Sequence, residues 1–357
     1  MIVPERARCQ SLKHITYHIK YALYQHDLYD FILRSIWSFP SYHRACHSGI
    51  IDTNRLCAFI YSRLNLNTKL PGDFLPLIPI KMLALDLDGT LAIDNHQVLP
   101  ATRDALKHLH DADVEVVIAT GRRYRSTRYV IDNLGFEVFA VCNGGALVKM
   151  PDTSTLHESS FSSRQINELA AIARDMGIPL MAQRDAHDRG GADFVIDDQS
   201  PWRHSFHQYF DANKQWGVAT DITTQPAEFV VASTFGEESN LQAFRDRIDA
   251  QHPGEYTNII VPPFNTDDYY MEISQSAISK WQGLQHLMTH FDIPAEALCC
   301  VGDELNDLSM LMAATHSVAM GNGNKALHPH VTFVCGNHDE DGILEVVDYI
   351  QHHNARC

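Results

Sequence analysis

The sequence lacks a basic surplus and long apolar runs. Its 357 residues include 28 Lys and Arg against 44 Asp and Glu, for a formal net charge of −16. That balance excludes a general nucleic-acid binder, because phosphate backbones are bound through Lys and Arg. No apolar stretch reaches the roughly 18–20 residues that a membrane-spanning helix needs, so we expect no stable membrane insertion.

The cysteines form no recognisable pattern either. Eight are present, none as a C-x-x-C pair, and Cys299 and Cys300 stand together in an apolar run. This spacing is typical of neither a disulfide framework nor a zinc site. A reducing, cytoplasmic setting is therefore expected, since the first residues also lack the regions of a secretory signal.

The composition is otherwise globular, with 45% hydrophobic residues, and the length predicts about two domains. The charge, however, changes near residue 80. Residues 1–80 hold nine Lys and Arg against five Asp and Glu, whereas residues 81–357 hold 19 against 39. Because the balance reverses there, we treat residues 1–80 as a separate N-terminal extension, unstructured or helical.

Three explanations of this extension stay open. It is a translation start placed too early, a targeting or membrane-surface segment, or an accessory module. We favour the first, because Met82 is the only methionine between Met1 and Met150. A chain that starts near Met82 is then expected to keep full activity and stability.

Strands and helices alternate from residue 80 onward. Short apolar runs at 82–86, 114–119 and 138–142 predict strands, and helical patterns lie between them. This order predicts an α/β fold with a doubly wound parallel sheet. Residues 160–270 combine helices with antiparallel strands, so we expect an α+β cap inserted into a core of residues 81–159 and 271–357.

The strongest chemical signal is Asp86-Leu87-Asp88-Gly89-Thr90, directly after the first predicted strand. Two carboxylates one residue apart repel each other unless a cation neutralises them, and their hard oxygens favour Mg²⁺. An Asp carboxylate is also a nucleophile toward phosphoryl groups. A second acid beside it can protonate a leaving group and then activate water. The plain alternative is two solvated acids in a turn.

Three further fragments follow, each at a predicted strand end or helix start. Thr120-Gly121-Arg122 offers a hydroxyl and amides for phosphate oxygens. Lys280 begins a helix, where its ammonium could bridge a nucleophile and a phosphoryl group. Gly302-Asp303-Glu304-Leu305-Asn306-Asp307 supplies acids for a metal site. Each fragment alone is ordinary, but in this order they predict phosphoryl transfer.

With these motifs the sequence resembles the haloacid dehalogenase superfamily, and within it the Cof-type sugar-phosphatase group with its large α+β cap. The resemblance covers about residues 80–352. It rests on Asp86–Leu91, Ala119–Arg122, Ser279–Lys280 and Gly302–Asp307, with Asn143-Gly144 and Val318–Asn322 also fitting. It implies Mg²⁺-dependent hydrolysis of phosphate monoesters of small metabolites, such as sugar phosphates, through an aspartyl-phosphate.

The resemblance also implies a role for each matching residue. Asp86 would be the nucleophile, and Asp88 the general acid and base. The metal ligands would be Asp86, Asp303 and the backbone carbonyl of Asp88, with Asp307 either a further ligand or a residue that holds a ligand in place. The phosphate- and substrate-binding residues would be Thr120, Gly121, Arg122, Asn143, Lys280 and Asn306.

Two positions depart from the family's pattern. Arg123 stands where a proline is common, and Trp281 where a small residue often follows the lysine, so both are expected to reshape the pocket. The alternatives are a phosphomutase or phosphotransferase on the same core, and a non-catalytic regulatory protein. The expected partner is a small phosphorylated metabolite, and the expected state is a monomer or homodimer.

The remaining polar clusters receive no function. His286 and His290 lie one helical turn apart, but without a third ligand they predict a solvated helix face. The pairs Asp197-Asp198 and Asp267-Asp268 are interpreted as solvated loop acids.

Overall fold

The structure is a computed structural model, and it describes residues 77–93, 97–187, 189–226, 228–263 and 267–357. Residues 77–357 form one compact unit. The predictions for residues 1–76, including the nature of the N-terminal extension, lie outside the described residues. No helix in the described ranges is long and apolar enough to cross a membrane.

The first part of this unit alternates between strands and helices. Its elements are β1 (Met82–Leu85), α1 (Pro100–His110), β2 (Glu115–Ala119), α2 (Tyr124–Leu134), β3 (Phe139–Cys142), β4 (Leu147–Lys149) and β5 (Thr155–Glu158). Proline begins α1, where a missing backbone N–H leaves no hydrogen bond unmade. The β4–β5 hairpin was not predicted, because strands of three and four residues carry too little periodicity.

A second group of elements follows. They are α3 (Ser163–Asp175), β6 (Met181–Gln183), β7 (Phe194–Asp197), α4 (His204–Asn213), β8 (Gly217–Thr220), β9 (Val231–Gly236), α5 (Glu238–Gln251), β10 (Tyr256–Val261) and β11 (Tyr269–Gln275). The strands form one six-stranded sheet in the order β10-β11-β9-β6-β7-β8. All its neighbours pair antiparallel except β7 and β8.

The chain then returns to the first sheet. The last elements are α6 (Lys280–His290), β12 (Leu298–Gly302), α7 (Leu308–Ala313), β13 (His316–Ala319), β14 (Phe333–Val334) and α8 (Ile343–Asn354). The completed sheet has eight strands in the order β14-β13-β12-β1-β2-β3-β4-β5. Its pairs are parallel from β14 to β3, whereas β4 pairs antiparallel with both β3 and β5.

Side chains of β1 show why this sheet is covered on both faces. Leu83 and Leu85 pack into the apolar layer that includes α1, α2 and α8. Met82 and Ala84 point the other way, into the layer that includes α6 and α7. A strand buried on both faces needs helices on both, which is the doubly wound arrangement. The predicted α/β core with an inserted α+β cap is therefore confirmed.

Two acids of the cap contradict their interpretation from the sequence. Asp197 is fully buried and accepts a hydrogen bond from Nε of Arg174 at 2.8 Å. Asp268 is also buried, and it accepts hydrogen bonds from Nη2 of Arg203 and Oγ of Ser205, both at 2.8 Å. The prediction of solvated loop acids is wrong for these two residues, because each has a partner that lies far away in the sequence.

The cap segment ends later in the sequence than predicted. Strand β11 continues to Gln275, five residues past the expected end of the insertion at 270. It pairs along its length with β10 and β9 of the six-stranded sheet. We therefore place the proposed cap at residues 160–275.

Residues just before β1 belong to the fold as well. Ile80 is fully buried, its backbone N–H donates to Oδ1 of Asn354 at 2.8 Å, and its carbonyl accepts from Nδ2 of the same side chain at 3.0 Å. The N–H of Lys81 donates to the carbonyl of Ala297 at 2.8 Å. A chain that starts at Met82 would lose these contacts, so we now predict that it is less stable than a chain that keeps Ile80.

Candidate active site

Three polar side chains meet where neighbouring strands end. In the sheet β1 lies between β12 and β2, and the strands are parallel. Asp86 follows β1, Thr120 follows β2 and Asp303 follows β12. Because parallel strands end at one edge of their sheet, these residues come together. They line a cleft of about 440 Å³ to which both the core and the cap contribute.

A buried lysine lies beneath this cleft. Lys280 is the first residue of α6 and is 2% exposed. Its Nζ donates to Oδ1 of Asp86 and, at 2.6 Å, to Oδ1 of Asp307. Ser279 begins the helix by accepting the backbone N–H of Gln282 on its hydroxyl, which fixes Lys280 at the first helical position. The structure thus places the ammonium between two carboxylates.

The loop after β12 holds its own acids in place. Asp307 is fully buried, and its Oδ2 accepts the backbone N–H groups of Asp303 and Glu304, both at 3.0 Å. Oδ1 of Asp303 accepts a hydrogen bond from Oγ1 of Thr90 at 2.9 Å. The loop after β1 therefore orients one acid of the loop after β12.

The electrostatics show how crowded these carboxylates are. Burial raises the pKa of Asp86 to about 8; the Lys280 ammonium opposes this shift, and the charges of Asp307 and Asp303 add to it. Burial likewise raises the pKa of Asp303 to about 6, although the hydrogen bond from Thr90 lowers it. Burial lowers the pKa of Lys280, but Asp86 and Asp307 outweigh it, so the pKa lies above its ordinary value. Lys280 thus stays charged beside Asp86, a carboxyl group whose burial opposes its ionisation.

Three of these acids could hold a metal ion. One carboxylate oxygen from each of Asp86, Asp303 and Asp307 lies within 4.8 Å of the others. Hard oxygen donors of this kind suit Mg²⁺, and a divalent cation would offset the repulsion that, together with burial, raises the pKa values of Asp86 and Asp303. The donor set therefore fits the expected cofactor. The side chain of Asp88 is not part of this cluster.

Asp88 is held at the mouth of the cleft by an arginine. Nε of Arg122 donates to Oδ2 of Asp88 at 2.7 Å, and Nη2 donates to Oδ1. The Asp88 side chain is 58% exposed, so solvent can reach it. Thr120 is buried, and its Oγ1 accepts the backbone N–H of Arg122 at 3.1 Å. Hydrogen bonds therefore link Asp88, the expected acid and base, to Arg122 and Thr120, two of the expected phosphate binders.

Three weaker candidates have different outcomes. Gly121 and Asn306 line the cleft, Asn306 from the turn before α7. Asn143 does not line it; this residue is 3% exposed, and its Nδ2 donates to Oε1 of Gln183 at 3.4 Å. In the structure Asn143 thus contacts Gln183, a cap residue that does line the cleft, and its contact with substrate stays a prediction.

The cap adds wall residues that the sequence did not indicate: Gln183, Tyr209, Tyr270 and Glu272. Nε2 of Gln183 donates to the hydroxyl of Tyr270 at 3.3 Å. Burial raises the pKa of Glu272 to about 7, although Lys280 opposes the shift. One sequence signal could have found Tyr270 and Glu272. Side chains alternate between the two faces of a strand, and Met271 between them is buried in the cap's apolar core, so Tyr270 and Glu272 share the opposite face of β11.

The two departures from the family's pattern also have different outcomes. Arg123 lines the cleft, as expected. Trp281 instead packs against the apolar layer of the core, so its effect on the pocket is indirect. Asn322 belongs to Val318–Asn322, the segment at the end of β13 that also fits the family's pattern. Its Nδ2 donates to the carbonyl of Gly89 at 2.8 Å. That bond anchors the turn on which Asp88 stands.

Comparison with known proteins agrees with this geometry. The sequence model of the haloacid dehalogenase-like hydrolase family matches residues 83–347. The chain belongs to this family. It is 24% identical over 292 residues to phosphatase YwpJ of Bacillus subtilis, covering 76% of this chain and 100% of that one. It is 27% identical over 269 residues to 5-amino-6-(5-phospho-D-ribitylamino)uracil phosphatase YitU of the same organism, covering 73% and 94%.

The fold of this haloacid dehalogenase-like hydrolase recurs in solved structures. A haloacid dehalogenase-like hydrolase from Bacteroides thetaiotaomicron superposes with a TM-score of 0.63 at 21% identity, over 76% of this chain and 99% of that one. The predicted family and the prediction of a phosphatase-type hydrolase are thereby confirmed. The matched segment contains Asp86, Asp88, Lys280 and Asp303, so the family match and the cleft concern the same residues.

Proposed function

We propose that this chain is a Mg²⁺-dependent phosphatase that hydrolyses phosphate monoesters of small metabolites through an aspartyl-phosphate on Asp86. The observation that carries the proposal is the contact of Lys280 with both Asp86 and Asp307, beside the carboxylate of Asp303 at the floor of the cleft. A cation fixed against a nucleophilic carboxylate is the arrangement that phosphoryl transfer needs.

Binding of the substrate phosphate is the first step. Lys280 and Thr120 offer an ammonium and a hydroxyl toward the phosphate oxygens, and Arg122 adds a guanidinium at the mouth. Asp86, Asp303 and Asp307 would hold Mg²⁺, with the Asp88 carbonyl as the further ligand that the resemblance implies. When bound, the ion supplies positive charge that offsets the charge of the phosphate and the carboxylates.

Chemistry then proceeds in two transfers at phosphorus. An oxygen of Asp86 attacks the phosphorus while the bond to the leaving oxygen breaks, and Asp88 gives that oxygen a proton. Asp88 next removes a proton from a water molecule, which attacks the phosphorus and frees Asp86 and inorganic phosphate. The exposure of the Asp88 side chain lets it reach water, and Arg122 keeps its carboxylate directed at the cleft.

The cap supplies contacts to the leaving group. Its residues Gln183, Tyr209, Tyr270 and Glu272 form the opposite wall of the cleft. The name of relative YitU describes a phosphomonoester of a small metabolite, and only that class is carried over to this chain. A cytoplasmic location and a monomeric or homodimeric state remain predictions.

A phosphate-release assay tests the proposal. The protein is incubated with p-nitrophenyl phosphate, glucose 6-phosphate, pyridoxal 5′-phosphate and flavin mononucleotide, in Mg²⁺ and in EDTA. We expect free phosphate from at least one substrate, dependent on Mg²⁺. Formation of a sugar phosphate isomer without free phosphate would identify a mutase instead, and absence of any phosphoryl transfer would contradict the proposal.

A further inference from the structure

Arg123 lies at the boundary between the core and the cap. It directly precedes α2 and lines the cleft. Its guanidinium carbon lies 5.0 Å from the ring centre of Phe194 and 6.0 Å from that of Tyr209. Its Nη2 donates to Oδ1 of Asn213 at 3.4 Å. All three partners belong to the cap, so this core side chain reaches into the part of the cleft where a leaving group would lie.

No carboxylate balances the charge of Arg123 within the described part of the chain. The other arginine of the cleft wall, Arg122, is paired with Asp88, and Lys280 lies between two carboxylates. Arg123 forms no ion pair with any described residue, and its Nη1 is buried without a hydrogen-bond partner. It is thus the one cation of the cleft wall whose charge the described residues leave uncompensated.

Arg123 is half-buried, so its guanidinium has lost part of its hydration without gaining a carboxylate partner among the described residues. A charge taken out of water loses solvation, and only a good partner returns that free energy. Contacts with aromatic faces return only part of that free energy. The group that best satisfies a guanidinium is a carboxylate or a phosphate, because its oxygens match the planar fork of N–H donors.

We propose that Arg123 binds a second anionic group, a carboxylate or a phosphate, on the leaving group of the substrate. The inference rests on the proposed phosphatase function and narrows its substrate class. The preferred substrates are then phosphorylated acids or bisphosphates of small metabolites, and neutral sugar monophosphates are poorer substrates.

The other charges of the cleft wall favour the same position for an anion. Glu304 of the loop after β12 lines the cleft and would repel a carboxylate or a phosphate, and Glu272 of β11 would do so when ionised. Arg122 is paired with Asp88 and is assigned to the transferred phosphate, so it does not serve the leaving group. An anionic leaving group therefore has one favourable place, beside Arg123, whereas a neutral sugar gains nothing from that place.

Matched substrates test this proposal. The value of kcat/KM is measured for 6-phosphogluconate against glucose 6-phosphate, and for 3-phosphoglycerate against glycerol 3-phosphate, since the members of each pair differ mainly in a carboxylate. The wild type is expected to prefer the acid by about tenfold to a hundredfold, the range of a hydrogen-bonded charge pair. Arg123→Gln is expected to remove the preference and leave the neutral substrates within threefold. Arg123→Lys is expected to keep part of it.

A neighbouring arginine provides the control for loosening of the cap. Arg125 also contacts the cap, with its guanidinium carbon 4.0 Å from the ring centre of Trp216, but it is paired with Asp193. Arg125→Gln should therefore leave the preference for acids intact. An equal loss on acidic and neutral substrates in Arg123→Gln, or no preference in the wild type, would overturn the proposal.

A binding measurement separates this proposal from the proposed function. Asp86→Asn and the double variant Asp86→Asn/Arg123→Gln are titrated with 6-phosphogluconate and glucose 6-phosphate by calorimetry. The inference predicts tighter binding of the acid to the single variant and equal binding of both ligands to the double variant. Equal binding to the single variant overturns the inference, whatever the activity; absence of hydrolysis together with this binding difference overturns only the phosphatase assignment.

Discussion

The Cα of Gly89 lies against the carboxylate of Asp303, so closely that a Cβ at position 89 would overlap Oδ2 of Asp303. Gly89 also has a φ of +79°, which glycine adopts without strain. The turn that carries Asp88 and the acid expected to bind metal are therefore packed against each other. A side chain at position 89 would push that acid out of place.

Gly89→Ala is therefore predicted to weaken Mg²⁺ binding by about tenfold to a hundredfold, as disturbance of a group that orients a metal ligand does. Gly135→Ala is the matched control, because Gly135 has a φ of +76° and open space around its Cα. Both variants should lose similar stability from backbone strain. Isothermal titration with Mg²⁺ checks the difference, and equal affinities in the two variants would refute the packing argument.

The raised pKa values of Asp86 and Asp303 predict a pH-dependent stability of the metal-free protein. A carboxyl whose pKa is higher in the folded state than in the unfolded state favours folding when protonated. That contribution is full below the ordinary pKa near 4 and is lost as the pH rises through about 6 for Asp303 and about 8 for Asp86.

The measurement is thermal unfolding between pH 5 and 8 in EDTA. Compared with wild type, Asp303→Asn should show a smaller loss of stability as the pH rises, because it lacks one of the titrating groups. Added Mg²⁺ should raise the melting temperature more at pH 8 than at pH 5, since it competes with protons for the carboxylates. Parallel pH profiles for the two proteins in EDTA would contradict this account.

Lys149 and Asp185 form a buried ion pair between the core and the cap. Their charged atoms are 2.8 Å apart, and both side chains are at most 3% exposed. Lys149→Met should cost about 3–5 kcal/mol of unfolding free energy, because it leaves a carboxylate buried without its partner. Lys149→Met/Asp185→Leu should recover most of that loss. A denaturant double-mutant cycle measures the coupling, and a double variant no more stable than the single one speaks against the pair.

The buried Ile80 predicts where the chain can be shortened. A chain starting at Leu77 keeps Ile80 and its two bonds to Asn354, whereas a chain starting at Met82 lacks them. The shorter chain should be less stable by about 2–5 kcal/mol, the range for removing a buried Ile side chain. Ile80→Ala in the full chain should show a comparable loss. Denaturant unfolding checks both, and equal stability of all chains would reject the prediction.

The sequence predicted the α/β core and most of the residues at the floor of the cleft, for a definite physical reason. Asp86, Thr120 and Asp303 each follow an apolar run, and ends of parallel strands meet at one edge of a sheet. A local pattern was therefore sufficient to bring together residues more than 200 positions apart. Lys280 was recognised as well, because helix starts have sequence signals of their own.

The cap side of the cleft could not be predicted in the same way. The alternation along β11 indicates that Tyr270 and Glu272 share a face, but not that this face meets the core. Asp197 was misinterpreted because its partner Arg174 lies on a different element, 23 residues earlier. Such pairings are decided by how helices pack on sheets, and no short stretch of sequence records that packing.

The most direct test of the central assignment is to locate the phosphoryl group during turnover. Wild-type protein is mixed with ³²P-labelled substrate and Mg²⁺, quenched in acid within one turnover, digested and analysed by mass spectrometry. We expect one phosphoryl group on the peptide that contains Asp86, and we expect Asp86→Asn to show neither label nor steady phosphate release. Label on a peptide without Asp86, or an Asp86→Asn variant as active as wild type, would contradict it.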